Sequence, residues 1–206
     1  MIDIVKTSGI FSLEGEDFDV ENNVFLVGDD NEVLVIDPAH DHRPIAQTIG
    51  ARRVIAIAAT HAHNDHINAA EAISVAFGAP ILVHPDDLEL WREVYPERVP
   101  DSLLREGDRL VVGSTTLEVL HTPGHTPGGC VFYDRKAEVC FSGDTLFKGG
   151  PGATGRKYSD FPTIIDSIRR RLLVLPQRTT VLPGHGEETT IGEEASHLEE
   201  WIARGY

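Results

Sequence analysis

The chain has 206 residues, 41% of them hydrophobic and 25% charged, with a formal net charge of −15. That length suffices for one domain with a sizeable core, and the composition is that of a globular protein. So acidic a chain repels phosphate backbones and anionic lipid, which excludes nucleic acid and membrane as expected partners.

No basic and apolar leader opens the sequence, and no apolar run reaches transmembrane length, so a cytoplasmic protein is expected. IDIVK, NNVFLVG and EVLVID read as strands divided by turn residues such as GDDN. RPIAQTIG predicts a short helix, and VIAIAAT (Val54–Thr60) a fully apolar, buried strand. A helix over Ala69–Phe77 closes at Gly78, ILVH is a strand, and PDDLELWREV has the proline and acids of a helix start. RLVV, TLEVLHT, GCVFYD and EVCFSGD are further strands. DFPTIIDSIRRRLLVL sets Ile164, Ile165, Ile168, Leu172 and Leu173 at helical spacing. TVLPG is a strand, and IGEEASHLEEWIA reads as one last helix. Blocks of strands with helices between them predict two packed sheets covered by helices, as one domain over residues 1–206. Cys130 and Cys140 suit a reducing compartment and are expected as buried, inert thiols.

The segment THAHNDHIN follows the apolar strand directly and crowds His61, His63, Asp65 and His66 into six positions. Side chains at i and i+2 of an extended segment share a face, so His61 and His63 can grip one ion. Asp65 and His66 follow where the chain turns away, and can point at a neighbouring position. Imidazole nitrogen with carboxylate oxygen suits zinc or iron better than calcium or magnesium. Three more strands end in ligating groups. HTPGHTPGG offers His121 and His125, FSGDTLF offers Asp144, and LPGHGEET offers His185. Ligands gathered at strand ends make a site on one edge of the sheets.

HAHNDH, HTPGHTPGG, SGDTLF and PGHG together resemble the metal motifs of the metallo-β-lactamase superfamily, and most of all its glyoxalase II branch, the hydroxyacylglutathione hydrolases. The resemblance implies an α/β fold, an αββα sandwich of two mixed β-sheets flanked by helices. It further implies that His61, His63 and His125 hold one metal, that Asp65, His66 and His185 hold a second, and that Asp144 bridges them. His121 is outside that ligand set, with a structural or supporting role expected. The cofactors implied are two divalent transition-metal ions, zinc first, with iron or manganese as alternatives. A water bridging two such ions loses a proton near neutral pH and becomes the nucleophile, with Asp65 helping to orient it.

A thiol titrates at about 8.5, so a thiolate leaves without a strong general acid, whereas an amide nitrogen needs a proton. No dedicated acid is evident beyond the ligands, Tyr133 and Tyr158 being the tyrosines to consider. The expected reaction is hydrolysis of a thioester of a small thiol. The loop FKGGPGATGRKYSDFP resembles the substrate-side loop of short glyoxalase II proteins. Its Lys148, Arg156, Lys157 and Tyr158 are candidate substrate-binding residues, because a basic patch in an acidic protein can hold a carboxylate. The same residues also read as an ordinary solvated loop. Asp37, at the end of an early strand, is expected to support the site. His40 and His42 read as solvent-exposed loop histidines, or else as the rim of the cleft. The rival activities are a persulfide dioxygenase with a single iron and a lactonase.

Overall fold

The computed structural model describes residues 1–13 and 15–205 and contains two six-stranded sheets. The first half of the chain runs β1 (Ile2–Leu13), β2 (Glu16–Gly28), β3 (Glu32–Ile36), α1 (His42–Ile49), β4 (Arg53–Ala58), α2 (Asn64–Ile67), α3 (Ala70–Phe77), β5 (Ile81–Val83), α4 (Leu88–Val94) and β6 (Ser102–Leu103). The second half runs β7 (Arg109–Val112), β8 (Thr115–His121), β9 (Cys130–Asp134), β10 (Val139–Gly143), β11 (Leu146–Phe147), β12 (Gly150–Pro151) and α5 (Phe161–Ser167). It closes with β13 (Thr180–Pro183), β14 (Thr189–Thr190), α6 (Ile191–Ala195) and α7 (Leu198–Arg204).

Sheet one has the order β1-β2-β3-β4-β5-β6, antiparallel up to β3 and parallel from there on. Sheet two has the order β14-β13-β10-β9-β8-β7, with β10 and β13 parallel and the other pairs antiparallel. Successive residues of a strand face opposite ways, and here both faces of each sheet find apolar partners. Val24, Leu26, Val33 and Val35 pack with Ile45, Ile49 and Ile73 of the helices. Phe25, Val27, Leu34 and Ile36, from the same two strands, meet Leu117, Val119, Phe132 and Phe141 between the sheets. On the far side Val131, Tyr133, Cys140 and Val181 pack with Ile164, Ile165, Ile168, Leu172 and Trp201. Three apolar layers separate four layers of structure, which is the expected αββα sandwich.

Three elements differ from expectation. The first strands are longer than their apolar runs, because β1 and β2 pair from Ile2↔Val27 out to Leu13↔Glu16. Outward of Asn22 the mostly exposed stretch Glu16–Glu21 is held by ladder hydrogen bonds rather than by burial, and so it carries little hydrophobic signal. The helix at Phe161 passes into a π-helical turn over Ile168–Leu172, which keeps Ile168 and Leu172 buried while Arg169, Arg170 and Arg171 remain outside. The final helix is broken into α6 and α7. Glu194 turns inward, accepting hydrogen bonds from the Gly149 N–H (3.0 Å) and the Thr189 hydroxyl (2.7 Å). The helix restarts at Leu198 and buries Trp201.

Candidate metal centre

Four strand ends meet at one edge of the sandwich. After β4, Asp37 at the end of β3 holds the chain by accepting from the Thr60 N–H (2.7 Å) and hydroxyl (2.6 Å). His61 and His63 follow, and α2 starts at once, with His63 as its N-cap, carrying Asp65 and His66. The loops after β8, β10 and β13 bring His125, Asp144 and His185 to the same place.

These side chains fall into two groups. His63 Nδ1 lies 3.1 Å from His61 Nε2 and 3.0 Å from His125 Nε2, the three rings standing edge-on to one another. In the second group, His185 Nε2 lies 3.2 Å from His66 Nε2 and 3.3 Å from Asp65 Oδ2. Asp144 sits between the groups, with Oδ1 3.4 Å from His66 Nε2 and Oδ2 3.6 Å from both His125 Nε2 and His185 Nε2. Ligands about 2.0–2.2 Å from one ion stand about 3.0–3.5 Å from each other at tetrahedral to octahedral angles, so the spacing in both groups suits a metal.

The outer nitrogens of the rings agree. His66 Nδ1–H donates to Asp37 Oδ2 (3.0 Å), His125 Nδ1–H to the Ala153 carbonyl (2.8 Å) and His185 Nδ1–H to the Glu21 carbonyl (2.8 Å). His61 Nδ1–H donates to the Thr60 hydroxyl (3.1 Å), whose own proton goes to Asp37. Each of these four rings thereby turns its Nε2 inward, the nitrogen that would face an ion, the arrangement that orients metal-binding histidines. His63 is reversed, with Nδ1 inward and its ring against Phe11. Asp144 Oδ1 is buried without a hydrogen-bond partner, a costly state for a carboxylate oxygen unless a cation completes it. The residues present therefore fit divalent metal ions. Gly184 permits the crowding, because a Cβ there would lie 2.5 Å from the His66 ring and 2.6 Å from Asp144 Oδ1.

Burial and the neighbouring rings push His61 and His63 well below the usual histidine range, so both are neutral at pH 7. His66 behaves oppositely. Burial disfavours its charge, but the carboxylates of Asp65, Asp144 and Asp37 outweigh that and raise it to about 10. His185 is raised too, the bond to Asp65 and the charge of Asp144 overcoming burial. Ion-free protein therefore carries an extra, charging proton in the second group, while His61 and His63 stay neutral with one ring proton each. Ion uptake by the second group should release protons at pH 7–8, and its affinity should climb as pH rises from 6.5 towards 10. Calorimetric titration of chelator-stripped protein in two buffers of different ionisation heat measures this. Equal proton release at both groups would contradict the charge assignment.

Two contributors were not legible in the sequence. Asp87, read only as a helix-start acid, is buried and accepts from Ala62 N–H (3.0 Å), the Thr126 hydroxyl (2.9 Å) and Gly128 N–H (2.6 Å), tying together the loops that carry His61, His63 and His125. Asn22 reaches in from β2, its Nδ2 3.1 Å from Asp65 Oδ2. Asp37 supports the site as expected. His42 is exposed, but His40 is half-buried and bonded to Asn22 (2.8 Å), so the solvent-exposed reading fails for it. His84, Asp86 and His121 form a further cluster. There the two rings stack face to face at 4.1 Å and 16°, so their lone pairs run side by side instead of converging. His121 also donates Nε2–H to the Pro127 carbonyl (2.9 Å), which gives it a structural role.

A cavity of about 430 Å³ opens onto the first group. It is lined by His63 and His125, by Phe11, Phe18 and Val20 of the β1–β2 hairpin, and by Arg156 and Lys157, with the Arg156 guanidinium 5.7 Å from the centre of the Phe18 ring. Lys148 is not among its lining residues. It pairs with Glu187 at 2.6 Å and borders a separate hollow with Lys6. Tyr158 is 40% exposed at φ +71°, its ring under Lys157 Nζ at 4.5 Å, and it too lies outside the cavity lining.

Residues 18–185 match the Metallo-beta-lactamase superfamily. The chain belongs to that superfamily. Among relatives with curated names, the hydroxyacylglutathione hydrolase GloC of Haemophilus influenzae is 34% identical over 190 residues, spanning 84% of this chain and 90% of GloC. TTHA1623, solved in a di-iron-bound form, superposes with a TM-score of 0.75 at 34% identity, over 85% of this chain and 93% of its own. The B3 metallo-β-lactamase BLEG-1 superposes at 0.78 with 31% identity, over 93% of this chain and 97% of its own. Membership makes this metallo-β-lactamase-fold chain a metal-dependent hydrolase, and the clustered histidines and aspartates are its candidate ligands. Among the described residues no helix is long and apolar enough to cross a membrane.

Proposed function

We propose that the protein hydrolyses a thioester of a small acidic thiol with two bound metal ions, zinc first among them. The reading rests above all on the cavity, whose lining combines His63 and His125 with apolar side chains and two cations. His61, His63 and His125 would hold one ion, Asp65, His66 and His185 the other, with Asp144 shared. When bound, such ions polarise a carbonyl and lower the pKa of water. The chain supplies the rest. Phe11 and Phe18 bury the acyl and thiol stems, and Arg156 and Lys157 receive a carboxylate. Asp65 orients the attacking oxygen, and the departing thiolate needs no proton donor. Arg156 already holds a carboxylate, that of Glu16 at 2.9 Å, both side chains being partly exposed. An acidic substrate would take that place. Cys130 and Cys140 are both buried free thiols, and burial pushes Cys140 up to about 12, which supports a reducing compartment such as the cytoplasm.

The test is Arg156→Ala against paired acidic and neutral thioesters. A contact remote from the reacting carbonyl is largely uniform binding. KM for the acidic substrate should rise about tenfold, the scale of an exposed charged hydrogen bond, with kcat little changed. An unchanged KM for every acidic thioester would remove Arg156 from the site.

A further inference from the structure

Behind Asp65 lies a chain of side chains whose donors and acceptors can be assigned in only one direction. The His40 backbone N–H donates to Asn68 Oδ1 (2.5 Å), which fixes the Asn68 amide with its NH₂ towards His40 Nδ1 (3.2 Å). An amide NH₂ can only donate, so Nδ1 is bare and the ring proton is on Nε2. That Nε2–H donates to Asn22 Oδ1 (2.8 Å), which fixes the Asn22 amide in turn. Its NH₂ then faces Asp65 Oδ2 at 3.1 Å and lies 3.4 Å from both His66 Nε2 and His185 Nε2. Burial lowers the pKa of His40, in keeping with a neutral ring that has one proton to place. The ring is held at φ +57° against Gly9 of β1, where a Cβ would stand 2.3 Å from His40 Nδ1.

We propose that Asn22 is a positioning residue for Asp65, its polarity locked by His40 and Asn68 so that a donor, never a carbonyl oxygen, meets the carboxylate. With the amide reversed, its oxygen would face Asp65 Oδ2, repel it and turn the carboxylate away from His66 and His185. The lock rests on the reading of Asp65 as a ligand that orients the nucleophile.

The kinetic test uses zinc-loaded full chain and whichever ester or thioester the wild type cleaves. Asn22→Ala should lower kcat about tenfold, the scale of one hydrogen bond to a charged group, with KM and zinc content nearly unchanged. Asn22→Asp, which keeps the shape but has no donor, should lose at least as much. His40→Ala should lose less, and the double variant Asn22→Ala/His40→Ala no more than Asn22→Ala alone, because His40 acts only through Asn22. A second readout needs no substrate. Long-range ¹H–¹⁵N NMR of the wild type should show His40 neutral with its proton on Nε2, and Asn68→Ala should convert it to a mixture of tautomers. A proton on Nδ1, wild-type kcat in Asn22→Ala, or additive losses in the double variant would each overturn the proposal. If no thioester is cleaved but the NMR result holds, the substrate assignment fails while the lock stands.

Discussion

Replacing Asp144 with alanine should strip metal from both groups at once and lower turnover by more than about a hundredfold. Asp144 is within 3.6 Å of His66, His125 and His185, and its Oδ1 is the buried oxygen that lacks a hydrogen-bond partner. Wild-type protein should carry close to two transition-metal ions per chain on the proposed ligand assignment. His125→Ala removes a ligand from the first group alone, so it should empty that group first and leave partial occupancy. Elemental analysis beside kcat reads both variants. Wild-type occupancy near zero, with full activity in chelator, would rule out the metal mechanism altogether.

The second large effect concerns oxygen. A dioxygenase keeps open positions on one iron, whereas a second complete ligand group suits a hydrolase that consumes water alone. On the proposed assignment Asp65, His66 and His185 would be such a group, and they lie within 3.6 Å of one another. Zinc-loaded protein should therefore cleave a lactoyl thioester of a small thiol under strict anaerobiosis, releasing free thiol and carboxylate in equal amounts. Iron-loaded protein given a thiol persulfide should take up negligible oxygen. Rapid oxygen consumption with sulfite release, and no thioester cleavage, would reverse the assignment. A lactone and a β-lactam belong in the same assay, since BLEG-1 shares the fold.

The cluster of candidate ligands was legible because ligation needs particular residue types at short spacings, and four apolar strands each ended in one. The layering was legible for a related reason, since strands buried on both faces read as continuous apolar runs. The rest depended on distance along the chain. Asn22 reaches the site from 43 residues before Asp65 and Asp87 from 25 residues after Ala62, and an Asn in a strand or an acid at a helix start has an ordinary local explanation. The basic loop was legible as charge but not as direction. Arg156 and Lys157 turn to the cavity, and Lys148 turns to Glu187. The hairpin was only half visible, because the exposed residues Glu16–Glu21 gain their order from pairing.

That hairpin has a consequence for how such a protein can diversify. β2 pairs with β3 only over Phe25–Gly28, while its pairing with β1 runs on to Glu16, so the outer part leans over the cavity as an arm flanked by no third strand. Its hold on the body includes Asn64, which accepts from the Ser12 N–H (3.2 Å) and donates to the Ile10 carbonyl (3.1 Å). Amide exchange should be fastest at the tip and slow abruptly where β3 joins. Because facing is conserved in steps of two, trimming or lengthening both strands by two residues moves Phe11 and Phe18 without rotating any side chain to the wrong face. Substrate breadth can thus drift by arm length alone, through changes that never touch a ligand, and an ancestral scaffold could acquire a new acyl preference while its metal chemistry stays fixed.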